Sequence, residues 1–113
     1  MILQLSVVDR SNHFGTGYIA GRGDGIVTVA GVPSSRAVYL YALYPHKPMA
    51  LVAKVWSNVQ GRYIFPRIDT KFRYLVIARD YAEQYEPFAW DYVQPANDLT
   101  IAEQQALWQT WQT

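Results

Sequence analysis

Ala37-Val-Tyr-Leu-Tyr-Ala-Leu43, followed after Pro45 and Pro48 by Ala50-Leu-Val-Ala-Lys-Val-Trp56, and after Asn58 and Gly61 by Arg62-Tyr-Ile-Phe65, decides the fold. Each run is rich in Val, Tyr, Ile, Phe or Trp, which fit a pleated, half-buried surface, and each gap holds residues that turn the chain. The same punctuation extends in both directions. Ile26 to Ala30, Phe72 to Arg79 and Phe88 to Val93 read as further strands, separated by Gly31 with Pro33, Asp69-Thr70-Lys71 and the polar loop Asp80 to Pro87. Strands this short, at this spacing, predict an all-β, two-sheet antiparallel sandwich of about seven strands.

Toward the N-terminus, Leu3, Leu5 and Val7 alternate with Gln4 and Ser6, which suggests an extended arm or first strand. Ser11 to Gly25 carries Gly15, Gly17, Gly21, Gly23 and Gly25 and reads as loop, apart from a short strand at Tyr18 to Ala20. The organisation expected is an arm over 1–24, a sandwich over 25–95 and a helical segment over 96–113. In that last segment Thr100 and Glu103 have capping-box spacing, opening a helix of about twelve residues. Ile101, Leu107, Trp108 and Trp111 fall near one stripe of it, with Gln104, Gln105, Gln109 and Gln112 mostly elsewhere. So short a helix has to dock, either on its own domain or on a neighbouring subunit. If it docks on a neighbour, a chain ending after Pro95 is expected to fold, since the strands finish at Val93; if it belongs to its own domain's core, that truncation is expected to unfold or precipitate.

The 113 residues make one domain, and with half of them apolar the core buries roughly 65% of the unfolded surface. Ten Lys and Arg against nine Asp and Glu leave a net charge of +1, which argues against a dedicated nucleic-acid binder. With no Cys there is no disulfide and no thiolate chemistry. No signal peptide and no membrane-spanning run is read, so the product is expected to be made in the cytoplasm and not to engage a membrane.

The search for catalysis yields no constellation. The glycine cluster lacks the strand–turn–helix context of a nucleotide loop, and Ser34-Ser35 lacks a nucleophile elbow. His13 and His46 fall in separate loops. Asp80, Glu83, Glu86 and Asp91 match no calcium-loop pattern, and Arg22-Gly23-Asp24 sits in a glycine-rich turn. The expectation is a non-enzyme without metal or cofactor.

Two aromatic sets remain. In a sandwich open to solvent each strand has one polar face. Here Val38, Leu40 and Ala42 oppose Tyr39, Tyr41 and Leu43; Phe72, Tyr74 and Val76 oppose Leu75 and Ile77; Leu51, Ala53 and Val55 oppose Val52 and Trp56. Both faces are apolar, so the outer ones need cover, from the chain's own ends or from other proteins. The assembly contact is expected at Tyr39, Tyr41, Trp56, Leu107, Trp108 and Trp111. Alternatively Tyr81, Tyr85 and Trp90, with Tyr92 beside them, offer flat faces to a surface glycan or protein ligand. Against this stands the reading in which Trp90 and Tyr92 alternate into the core with Phe88. The core is expected at Val38, Leu40, Val55, Tyr63, Phe65, Tyr74 and Val76.

In order along the chain, Gly25-Ile-Val-Thr-Val-Ala-Gly-Val-Pro33, Arg36-Ala-Val-Tyr-Leu-Tyr41, Val55-Trp-Ser-Asn-Val-Gln-Gly-Arg-Tyr-Ile-Phe65 and Tyr74-Leu-Val-Ile-Ala-Arg-Asp80 resemble the carboxypeptidase-regulatory-like, transthyretin-like (prealbumin-like) β-sandwich. In that pattern a Gly-x-Pro turn, an alternating strand, a Ser-Asn-x-x-Gly-x-Tyr-x-Phe hairpin and a Tyr-x-Val-x-Ala strand succeed one another. The element Asp91-Tyr-Val-Gln-Pro95 is similar to that of small structural proteins of tailed phages and prophages. The resemblance implies a virion protein of the tail or its surroundings. It would be a rigid spacer contacting other virion proteins and copies of itself, with a host-surface glycan as a further partner. Asp69-Thr70-Lys71 stands where that family often turns on Pro-Gly. The family's hydroxyisourate hydrolases end in Tyr-Arg-Gly-Ser with paired histidines, whereas this chain ends Leu107-Trp-Gln-Thr-Trp-Gln-Thr113, so the hydrolase reading fails at the residues that would carry it.

Overall fold

A computed structural model of the chain describes residues 13–22, 25–29, 32–79 and 88–112. The expected N-terminal strand at Leu3 to Val7 lies outside them, as do Gly23, Asp24 and the loop from Asp80 to Pro87. The elements are β1 (Phe14–Gly21), β2 (Thr28–Val29), β3 (Val32–Pro33), β4 (Ala37–Leu43), β5 (Ala50–Trp56), β6 (Tyr63–Ile68), β7 (Arg73–Arg79), β8 (Phe88–Val93) and α1 (Ile101–Gln112). The strands form antiparallel sheets: four strands in the order β5-β4-β7-β8, the pair β1-β6, and the small ribbon β2-β3. None closes into a barrel.

Alternation sets the inner face of the large sheet. Val38, Leu40 and Ala42 of β4 and Tyr74, Val76 and Ala78 of β7 are buried, and β4 pairs with β7 so that Leu40 lies opposite Val76. They meet Ile19, Tyr63, Phe65 and Ile68 of the β1–β6 pair in one apolar cluster. The expected core residues are all in it, with Val55 only partly buried at its edge. Tyr63 and Phe65 cross edge-to-face with centroids 5.8 Å apart, and burying one such ring contributes roughly 1.5–3 kcal/mol.

Phe14–Gly21 is a strand throughout, not the expected loop with a short strand in it. Its glycines allow close approach: a Cβ on Gly21 would fall on the Tyr63 ring. The stretch Ser57 to Arg62, expected as a hairpin between paired strands, is instead a corner that takes the chain from one sheet to the other, since β5 pairs with β4 and β6 with β1. Gly61 adopts φ 79°, and a Cβ there would fall on the Val27 carbonyl oxygen. Only glycine suits both demands.

Bulges modify the simple alternation in two strands. In β5 the register slips between Leu40 and Tyr41, so Val52 and Ala53 are both buried while Leu51 and Trp56 are exposed. This replaces the expected grouping of Leu51 with Ala53. In β8 a slip between the partners of Tyr74 and Val76, with Tyr92 at φ 55°, turns Tyr92 out to 70% exposure. Tyr92 therefore does not alternate into the core, although Trp90 does pack on it, 6.2 Å from Tyr63.

The C-terminal segment returns to its own domain. Ala96 and Tyr18 exchange backbone hydrogen bonds of 2.8 and 2.9 Å, adding a bridge to the edge of β1 away from β6. Thr100 Oγ1 accepts from the Glu103 N–H and Glu103 Oε1 from the Thr100 N–H, the expected capping box. The helix α1 packs on β6 and β1, on the side away from the large sheet, where Tyr18 and Ile64 are buried outside the main cluster.

Its docking residue is not the one expected. Among the described residues of α1 only Gln104 is buried, at 0% exposure, whereas Ile101 is 40% exposed. At 100° per residue Gln104 lies between Ile101 and Trp111, inside the stripe rather than elsewhere. Its Oε1 accepts from the Arg67 N–H at 3.0 Å, and its Nε2 donates to the carbonyls of Thr16 at 2.8 Å and Leu99 at 3.1 Å. Thr16 lies where β1 bulges against Ile68, and Arg67 is at φ 56°. Both have lost regular ladder geometry, and one buried amide supplies their partners.

Candidate interaction surface

The outer face of the large sheet is assembled by register. Tyr39 lies between Lys54 and Ile77, Tyr41 between Leu51 and Leu75, and Ala37 between Trp56 and Arg79. Tyr39, Tyr41, Leu75 and Ile77 are half-buried by one another, while Leu51 and Trp56 are exposed. Among the described residues no further sheet or helix is layered on this face. The Lys54 ammonium sits 5.7 Å from the Tyr39 ring and 5.6 Å from that of Trp56, its stem lying over apolar surface with the charge at the solvent.

Trp56 also stands at the rim of a groove of about 460 Å³ between the β5–β6 corner and the end of α1, which Trp108 and Trp111 line from the helix. The corner is tightly bonded. Ser57, itself buried, donates from Oγ to the Ser34 carbonyl at 2.8 Å and accepts from the Arg36 N–H at 2.8 Å. Asn58 Oδ1 accepts from the N–H groups of Gln60 and Arg62, each at 2.9 Å, and its Nδ2 donates to the Trp111 carbonyl at 2.9 Å. The last bond ties the helix end to the corner. Trp108 and Trp111 are perpendicular, 6.2 Å apart, and the Arg62 guanidinium lies 5.9 Å over Trp111.

Trp56, Trp108 and Trp111, expected from sequence as contact residues, are thus brought to one place, with Leu107 half-buried on the same helix. Tyr39 and Tyr41 lie on the adjoining sheet face. Of the alternative set, Tyr81 and Tyr85 fall outside the described residues, and Trp90 is turned to the core. Of the four carboxylates weighed for calcium, only Asp91 is described, and its Oδ1 accepts from the Tyr92 N–H. His13 is a buried side chain, its Nε2 2.7 Å from the Tyr44 hydroxyl among the rings of Tyr44, Phe72 and Tyr74; His46 is exposed. Missed in the sequence were Ser57 and Asn58 as the brace of the groove; the Asn-x-x-Gly turn signal was visible, but not the helix it holds.

The perturbed titrations are structural. Burial and a 2.7 Å hydrogen bond to Asp98 Oδ1 raise the Tyr18 hydroxyl, and that same bond lowers the exposed Asp98 carboxyl. Burial alone pushes Tyr63 far up. None of the three groups lines the groove.

Comparison of the chain with protein-family models, with curated proteins and with solved structures finds no match.

Proposed function

We propose that the protein is a non-enzymatic structural component that works through contacts with neighbouring protein chains. Its sheets are read as a transthyretin-like β-sandwich of about seven strands serving as a rigid spacer. The observation that carries this reading is the outer face of the large sheet, where Tyr39, Tyr41, Leu51, Trp56, Leu75 and Ile77 occupy positions that a free antiparallel sheet gives to polar side chains. Half-buried aromatics of this kind concentrate binding energy when a partner excludes water from them. The sequence resemblance supports a virion setting, in a phage tail or close to it, with other virion proteins and further copies of the chain as partners.

Sedimentation of the full chain over a range of concentrations tests the reading. Concentration-dependent association is expected, abolished by Tyr41→Asp with the folded core intact. A chain that stays monomeric at every concentration and sits beside no virion genes would overturn it.

A further inference from the structure

Three of the four tryptophans meet in the groove between the β5–β6 corner and α1, and no residue lining that groove is charged. Its volume, about 460 Å³, falls within the ~300–1,000 Å³ of small-ligand sites. Trp56 is 51% exposed, a stiff platform at the rim. The perpendicular pair Trp108 and Trp111 makes an aromatic corner opposite, one face of Trp111 already taken by Arg62.

The polar groups around these rings divide into two sets. Ser57 and the Asn58 amide are consumed in bracing the corner. The side-chain amides of Gln60 and Gln112 line the groove, are exposed, and hold no hydrogen bond among the described residues; the indole N–H groups of the three tryptophans likewise carry none. A site with flat apolar faces, unengaged amides and N–H donors, and no charge matches a ligand that is itself amphipathic and neutral. Pyranose rings have that character, a C–H face for the indole and a rim of hydroxyls for amides. The nearest cations, the Lys54 ammonium over Trp56 and the Arg62 guanidinium over Trp111, are placed on the rings and are not among the groove's lining residues, so a nucleotide or an acidic sugar would have to draw them away.

We propose that this groove is a binding site for a neutral oligosaccharide, with Trp56 and Trp108 as stacking platforms and Gln60 and Gln112 as hydrogen-bonding residues. The corner bonds from Ser57 and Asn58 hold the platforms apart before the ligand arrives, which lowers the ordering cost of binding. The site shares Trp56 with the rim of the outer sheet face, but Gln60, Trp108 and Gln112 lie off that face, and occupancy does not require association of the chain.

Titration of the full chain, followed by tryptophan fluorescence and calorimetry, tests the proposal with short neutral glucose and N-acetylglucosamine oligomers, an anionic polysaccharide and a proline-rich peptide. Saturable binding of a neutral series is expected. Gln60→Ala, an exposed residue whose side chain braces nothing, should weaken it ~10-fold, equivalent to about 1.4 kcal/mol, at an unchanged melting midpoint. Trp56→Ala should weaken it at least as much, and Tyr41→Asp should leave it unaltered. The proposal is overturned if no neutral series binds, if only the anionic polymer or the peptide binds, or if binding survives both groove substitutions. Failure here leaves the association measured by sedimentation untouched, so the two readings fall separately.

Discussion

Between the large sheet and the β1–β6 pair, Leu40, Val76 and Phe65 meet in an apolar seam, whereas between that pair and α1 the most buried group is the amide of Gln104. The first seam follows from period-two alternation, which any one-residue slip would turn inside out. The second follows from two irregularities, at Thr16 and Arg67, whose backbone groups need partners that a regular strand would have supplied. Apolar seams are additive and tolerant of shape, while a polar seam depends on every bond being made. The contrast teaches that α1 is held to the domain less by its tryptophans than by what it hydrogen-bonds.

The largest effect expected is from removing that second seam altogether. A chain ending after Pro95 loses the Ala96 bridge to Tyr18, the Asp98 bond and all of α1, uncovering Tyr18 and Ile64. It should show no cooperative thermal unfolding, the outcome expected of a helix that belongs to its own domain; a truncated domain that melts like the full chain would reduce α1 to an appendage. Within the apolar seam, Phe65→Ala should cost about 3–5 kcal/mol by leaving a cavity, measured by denaturant unfolding.

Gln104→Leu sharpens the comparison, because it keeps volume and apolar surface but strands the Arg67 N–H and the Thr16 carbonyl. A loss of about 1–3 kcal/mol per orphaned group is expected, with faster amide exchange at Arg67. Unchanged stability would mean that the tryptophans hold the helix after all.

The smallest effect belongs to Asp98. Its carboxyl is lowered in the folded state from an ordinary value of 3.8, so the unfolded chain binds more protons as pH falls through that range. The stability that the Tyr18 bond contributes is therefore present above about that pH and lost below it, through the lowered value. The difference in melting midpoint between the natural chain and Asp98→Asn should shrink in acid, and a difference constant with pH would assign the bond no role.

The large sheet was legible because its information is local: Ala37 to Leu43, Ala50 to Trp56 and Phe88 to Val93 begin and end where Gly, Pro and polar residues punctuate them. The helix was legible through Thr100 and Glu103. Hidden were features decided by distant partners. Nothing near Gly21 announces the ring of Tyr63, and no pattern marks Gln104 as buried, since a lone glutamine on a helix is ordinarily solvated. The convergence of Trp56 with Trp108 and Trp111 was equally out of reach, because it depends on Asn58 reaching the end of a helix, a bond across 53 residues.

The bridge between Tyr18 and Ala96 carries a consequence for the order of events during synthesis. The strand waits for residues made much later, so β1 emerges, finds β6, and still lacks the Ala96 bridge and the amide that satisfies Thr16, 88 residues on. Contacts of such sequence separation form slowly and late. A ribosome stalled before Gln104 would hold a chain whose large sheet can pair but whose β1–β6 layer is bare on one side, the state in which chaperones would be needed most.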